Sequence, residues 1–166
     1  STAVWDKVAV NNHYQEDSVA PLETLLDQVK EWDTQEAQQK LSQLLDMEAW
    51  GRFSAFETLS GSKHFLHDHN WRLYYDPWRQ EFLPIVWDPA GWLWSTNDVG
   101  PAVIITRLHN ALFHNGDFLR ARYAAFEEFF GSKRDLTFLQ FVSTTIQLME
   151  SEIETDPFLY PANTAL

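Results

Sequence analysis

At 166 residues and 45% apolar content, the chain can build one hydrophobic core and reads as a single domain or one lobe of a larger fold. It has no cysteine, which excludes disulfide scaffolds, zinc–thiolate centres and thiol nucleophiles. Its 24 acidic and 12 basic residues give a net charge of −12, Lys133-Arg134 is the one adjacent basic pair, and no run of about 18 apolar residues occurs, so a nucleic-acid backbone and a membrane span are not expected partners.

In chain order, Ser1 to Trp5 lacks the pattern of a signal peptide, and the start without Met is read as that of a processed product or a fragment. Lys7 to Val10 is a short strand candidate, followed by a turn at Asn11-Asn12-His13. Pro21 to Trp32 has helical periodicity at Leu22, Leu25, Leu26 and Val29, with Pro in the first turn, where its missing N–H is harmless. Asp33 and Glu36 have capping-box spacing before the apolar face Leu41, Leu44 and Leu45. Asp46 is the expected cap of a third helix through Trp50, Phe53 and Phe56, ending near Gly61.

Ser60 to Asp68 reads as a polar loop. Trp71 to Asp76 and Glu81 to Asp88 read as strands, rich in aromatic and branched residues and bridged by Pro77-Trp78-Arg79-Gln80. Trp71, Leu73 and Tyr75 are expected on one face, and Arg72, Tyr74 and Asp76 on the other. Pro89 to Asn97 is a loop. Pro101 to Phe113, Phe118 to Phe130 and Leu136 to Glu154 read as helices, with Asp117 and Asp135 as expected N-caps and Gly116 and Gly131 as stops. The expected class is therefore mainly α with one small antiparallel β-hairpin.

The hairpin carries the chemistry. It brings its open ends together, so Asn70, just before the first strand, and Asp88, at the end of the second, should share a rim with Asp68 close by. An Asn and one or two Asp converging on a point suit a hard divalent cation, which prefers oxygen donors and is commonly held by one or two carboxylates plus phosphate oxygens. Protein kinases hold the metal that bridges ATP phosphates with an Asn and a later Asp in this way.

The run His69-Asn70-Trp71-Arg72-Leu73-Tyr74-Tyr75-Asp76-Pro77, then Phe82-Leu83-Pro84 and Trp87-Asp88, resembles the spore coat protein H (CotH) kinase family. Val29 to Leu59 resembles the segment before that family's catalytic loop. Thr106-Arg107-Leu108 and Phe118-Leu119-Arg120-Ala121-Arg122-Tyr123 resemble its later helices, so the likeness spans roughly Lys7 to Asp156. The resemblance implies the C-lobe of an atypical protein-kinase-like fold, with ATP as donor, Mg²⁺ or Mn²⁺ on Asn70 and Asp88, and a protein substrate or a coat or surface partner. It also implies a cell-surface or extracellular setting. Two positions depart from the pattern. Phe65 stands five residues before Asn70, where kinases keep the catalytic Asp, which leaves Asp68 as the candidate base. Pro89-Ala90 follows Asp88 where family members often carry a second Asp.

The six glycines form no G-x-G, and nothing before Pro21 is long enough for a strand-rich, phosphate-covering lobe, so the N-lobe is expected outside this chain. His64, His67 and His69 cluster around Asp68 without a standard zinc spacing and read as orienting residues. His109 and His114 read as surface or satisfied core positions, and Trp92 and Trp94 as packing rather than carbohydrate stacking. Two functional classes follow: the metal-binding lobe of a CotH-like kinase, and a non-catalytic kinase-derived module in coat or surface assembly.

Overall fold

The computed structural model describes residues 19–61, 71–88, 104 and 106–156. Among these the order is α1 (Ala20–Lys30), α2 (Gln35–Leu44), α3 (Met47–Ser60), β1 (Leu73–Asp76), β2 (Glu81–Pro84), α4 (Arg107–Phe113), α5 (Gly116–Gly131) and α6 (Arg134–Thr155). The described chain is thus mainly helical with one antiparallel two-stranded sheet, as its periodicities predict. The strand expected at Lys7 to Val10, the loop from Pro89 to Asn97 and the tail from Pro157 lie outside the described residues. By contacts the chain divides into two compact units, one ending at Ala125 and the other starting at Phe126.

In the first unit, α1 places Pro21 in its first turn and buries Leu25 and Val29, one turn apart. The cap of α2 is Thr34 rather than the Asp33/Glu36 box. Thr34 is extended (φ −93°, ψ 146°) and its Oγ1 accepts the Ala37 N–H at 3.2 Å. The reason is the preceding turn: the Thr34 N–H bonds the Glu31 carbonyl at 2.9 Å, which carries Asp33 past the capping position. At α3 the expectation holds. Asp46 Oδ1 accepts the Ala49 N–H at 3.0 Å, and Gly61 ends the helix with φ 61°, a left-handed conformation that a Cβ would oppose.

The hairpin pairs Leu73 with Pro84, Tyr74 with Leu83, Tyr75 with Phe82 and Asp76 with Glu81. Its turn is closed by Asp76 Oδ1, which accepts the N–H groups of Trp78 (2.9 Å) and Arg79 (3.3 Å), and Gln80 takes φ 57° to redirect the chain. The strands are shorter than Trp71–Asp76 and Glu81–Asp88. Pro84 has no N–H to give to the ladder, and the pairing described beyond it is one bond from Ile85 N–H to the Arg72 carbonyl at 2.9 Å.

The faces alternate as expected: Leu73 and Tyr75 pack on the core beside Trp71, while Tyr74 is 53% exposed. Phe82 is buried, and its carbonyl accepts both the Trp50 Nε1–H (2.9 Å) and the Asp46 N–H (3.2 Å). The start of α3 is thereby clamped to β2. Arg79 adds an ion pair to Asp46 at 2.8 Å. Burial pushes the Asp46 carboxyl up, but the Ala49 N–H and the Arg79 guanidinium outweigh it and hold it below the usual carboxylate range.

The core joins Leu25, Leu41, Leu45, Trp50, Phe53, Phe82, Ala111, Leu112 and Phe118. Asn115, nearly fully buried, replaces Asp117 as the cap of α5: its Oδ1 accepts the N–H groups of Asp117 (3.0 Å) and Phe118 (3.1 Å). Its Nδ2 reaches back to Gln38 Oε1 (3.0 Å) and Ser42 Oγ (3.0 Å) on α2. Gly116, expected as a stop, therefore opens α5.

In the second unit, Ser132 and Lys133 return their N–H groups to the end of α5, and Arg134 pairs with Glu128 at 2.8 Å. The N-cap position of α6 is Lys133 (φ 57°), not Asp135, which lies in the first turn. Along α6, Leu139, Val142, Ile146, Met149 and Ile153 recur at alternating spacings of three and four, and Leu139 and Ile146 are more than half exposed. No described helix is long and apolar enough to cross a membrane.

Candidate functional site

At the open end of the hairpin, Trp71 and Arg72 lead into β1, and Ile85 to Asp88 follow β2. Trp71 turns inward, with its ring 6.0 Å from Trp50, 6.4 Å from Phe53 and 5.3 Å from His109. The residue that follows Asn70 in the chain is therefore seated among three rings contributed by α3 and α4. Arg72 faces the other way. Its guanidinium lies over the Trp87 ring at 5.4 Å, and its Nη1 donates to the Trp71 carbonyl at 3.1 Å.

Asp88 closes this rim. It is exposed and takes φ 45°, a left-handed conformation that costs a residue with a Cβ about 1 kcal/mol and that Asp tolerates better than most. Asp88 lies four residues beyond β2, so strand alternation does not set its orientation. Such strained residues gather at functional sites.

Asp68 and Asn70, the other members of the expected rim, lie outside the described residues, as do His64, His67, His69, Trp92 and Trp94. Among the described residues, no three His, Asp or Glu side chains converge as a cation site. What the described residues contribute is one exposed carboxylate, Asp88, and the inward-turned ring of Trp71.

Beneath Trp71 lies a polar cluster that reading of the sequence missed: Glu57 of α3, His109 of α4 and Arg122 of α5, each no more than 5% exposed. His109 is the third residue of α4 and forms a reciprocal cap with Thr106. Its backbone N–H donates to Thr106 Oγ1 at 3.2 Å, and its Nδ1 accepts the Thr106 backbone N–H at 3.2 Å. A backbone N–H can only donate, so Nδ1 is unprotonated and the neutral ring carries its proton on Nε2. That nitrogen faces Glu57 Oε1 at 3.8 Å, and neither atom has a hydrogen-bond partner.

The order hydroxyl, imidazole, carboxylate is that of an activated nucleophile. Here, however, Thr106 Oγ1 already serves as the helix cap. Arg122 donates to Ser54 Oγ and Thr58 Oγ1, both at 3.2 Å, and lies over the Phe113 ring at 5.2 Å. Burial pushes its guanidinium below its ordinary value, with Tyr123 and Glu57 pulling the other way. His109 is thus a buried, capped histidine rather than a surface one, while His114 is exposed and its Nδ1 lies 2.7 Å from the Asn110 carbonyl.

In comparisons with known proteins, no family model, no curated protein and no solved structure matches the chain.

Proposed function

We propose that this chain is the metal-binding, large-lobe part of a CotH-like atypical protein kinase, using ATP with Mg²⁺ or Mn²⁺ to phosphorylate a protein hydroxyl. The observation that carries the reading is Asp88: an exposed carboxylate in a left-handed conformation, four residues past the end of β2 on the open side of the hairpin. A hard, exposed carboxylate oxygen without competing thiolates fits a hard cation. In this reading Asp88 and Asn70 hold the cation, and Asp68 accepts the proton of the attacking hydroxyl as its oxygen bonds the γ-phosphorus and the bond to the β-phosphate oxygen breaks, releasing ADP. The cation, when bound, neutralises charge developing on the phosphate oxygens. The chain's own contribution is orientation, through Trp71 just before β1 and the left-handed backbone at Asp88 beyond β2.

A second reading, a non-catalytic kinase-derived module in coat or surface assembly, is favoured by Phe65 at the usual base position and by Pro89-Ala90 after Asp88. Both readings keep the cation; only the first adds phosphate transfer. Calorimetric titration with Mn²⁺ tests what they share. Wild type is expected to bind, and Asp88→Ala to bind at least about tenfold more weakly. Equal affinities would remove Asp88 from the site and the proposal with it.

A further inference from the structure

From Leu136 to Met149, α6 carries no charged residue. Its charges sit at its two ends and differ in sign. Lys133 occupies the N-cap position and Arg134 opens the helix, whereas Glu150, Glu152 and Glu154 fall in its last two turns and Asp156 just beyond them. All of these residues are exposed. Asp135 apart, this order runs against the helix dipole, which favours anions at the N-terminus and cations at the C-terminus. Arg134 has a partner in Glu128, but an exposed pair of this kind contributes little and exchanges readily.

Between the charged ends runs the stripe Leu139, Val142, Ile146, Met149 and Ile153. Its alternating steps of three and four residues keep one seam on one side of the helix, as in a two-stranded coiled coil. Leu139 is 61%, Ile146 55% and Met149 49% exposed, and Phe141 and Leu148, more exposed still, widen the stripe along one edge. A continuous apolar surface bounded by charge marks an interaction face. What fits this one is its own copy. Turned end for end, α6 offers the same apolar spacing and the opposite charge at each end, so the face is self-complementary about a two-fold axis.

We propose that α6 pairs with α6 of a second copy of this chain, antiparallel, burying the apolar stripe and laying the basic start of each helix beside the acidic end of the other. The spacing sets the register. Leu139 lies level with Met149 of the other copy and Val142 with Ile146, and the two-fold axis repeats both layers. The same register brings Arg134 level with Glu154 of the other copy, at each end of the pair. Each acidic helix end thereby meets both a basic side chain and the positive end of a second dipole. A parallel pair would instead set the acidic ends side by side. Four apolar layers along roughly 15 Å of helix make a small interface, so a Kd on the order of 10–100 μM is expected.

Sedimentation equilibrium of the whole chain from about 5 to 300 μM should show a monomer–dimer equilibrium in that range. A monomer throughout would overturn the proposal, and one that floats with neutral phosphatidylcholine vesicles would assign the same face to a membrane surface. Ile146→Glu places a charge at the middle of the seam on an exposed position, so its circular dichroism should match wild type while dimerisation weakens at least about tenfold. A folded Ile146→Glu protein that dimerises like wild type would equally overturn the proposal. Orientation is read in wild-type background. Because the chain has no cysteine, Ser132→Cys carries a single nitroxide per copy, in the turn before α6. Antiparallel pairing separates the two labels by roughly 35 Å, and parallel pairing by roughly 10–15 Å. A dimer showing only the shorter distance would overturn the antiparallel arrangement.

Discussion

Gly51→Ala is expected to destabilise the first unit by about 3 kcal/mol. A Cβ at Gly51 would lie 2.6 Å from Ala121 C and from Arg122 N, and 2.8 Å from Ala121 Cβ. Two of those neighbours are backbone atoms, which cannot rotate aside, so α3 and α5 would have to separate. Separation would also stretch the bonds from Arg122 to Ser54 and Thr58 on α3. The sign makes the test informative. Alanine forms helix better than glycine by about 1 kcal/mol, so a Gly51→Ala protein of raised stability in urea denaturation would mean that these helices do not meet at this point.

Trp50→Ala is expected to cost about 3–5 kcal/mol, the range for removing a large buried aromatic. Trp50 is 1% exposed and lies 6.0 Å, ring to ring, from both Phe53 and Trp71. It also donates to the Phe82 carbonyl, so one side chain joins α3, β2 and the anchor of the rim. Trp50→Phe separates the two contributions. The Asp46 N–H still serves the Phe82 carbonyl in that variant, and the expected loss falls to about 1–2 kcal/mol. Guanidinium denaturation gives both values. Equal losses would mean that the hydrogen bond, not the packing, carries the effect.

Much of the fold was legible because its signals are local. The hairpin follows from two-residue alternation around an Asp-Pro turn, and the ends of α3 from Asp46 and Gly61, whose side chain and conformational freedom act within one turn of helix. The caps of α2 and α5 were misplaced by one or two residues, because several adjacent polar residues could each serve and the choice falls to the preceding turn and to contacts with α2.

The buried cluster was partly legible. Trp50, Ser54 and Glu57 recur at helical spacing, so the periodicity already put Glu57 on the inner face, but a glutamate in that position reads as solvated until a partner is known. His109 and Arg122 come from two other helices, and only the tertiary fold brings the three together. At the rim, the sequence singled out Asp88, yet its left-handed backbone depends on how the chain leaves the sheet, which residue order does not encode locally.

The most direct test of a cation at the open end of the hairpin is paramagnetic broadening by Mn²⁺ in ¹⁵N-labelled protein. Trp78, in the turn at the opposite end of the hairpin and 95% exposed, is an internal control, since the four residues of β2 and four further residues run from the turn to Asp88 and place the two roughly 20 Å apart. Substoichiometric Mn²⁺ is expected to broaden the amide signals of Arg72, Trp87 and Asp88 and the Trp71 indole first, with Trp78 unaffected, and Asp88→Ala should abolish that selectivity. Broadening centred instead on the acidic end of α6, at Glu150, Glu152, Glu154 and Asp156, with the rim signals unchanged, would contradict a cation site at Asp88.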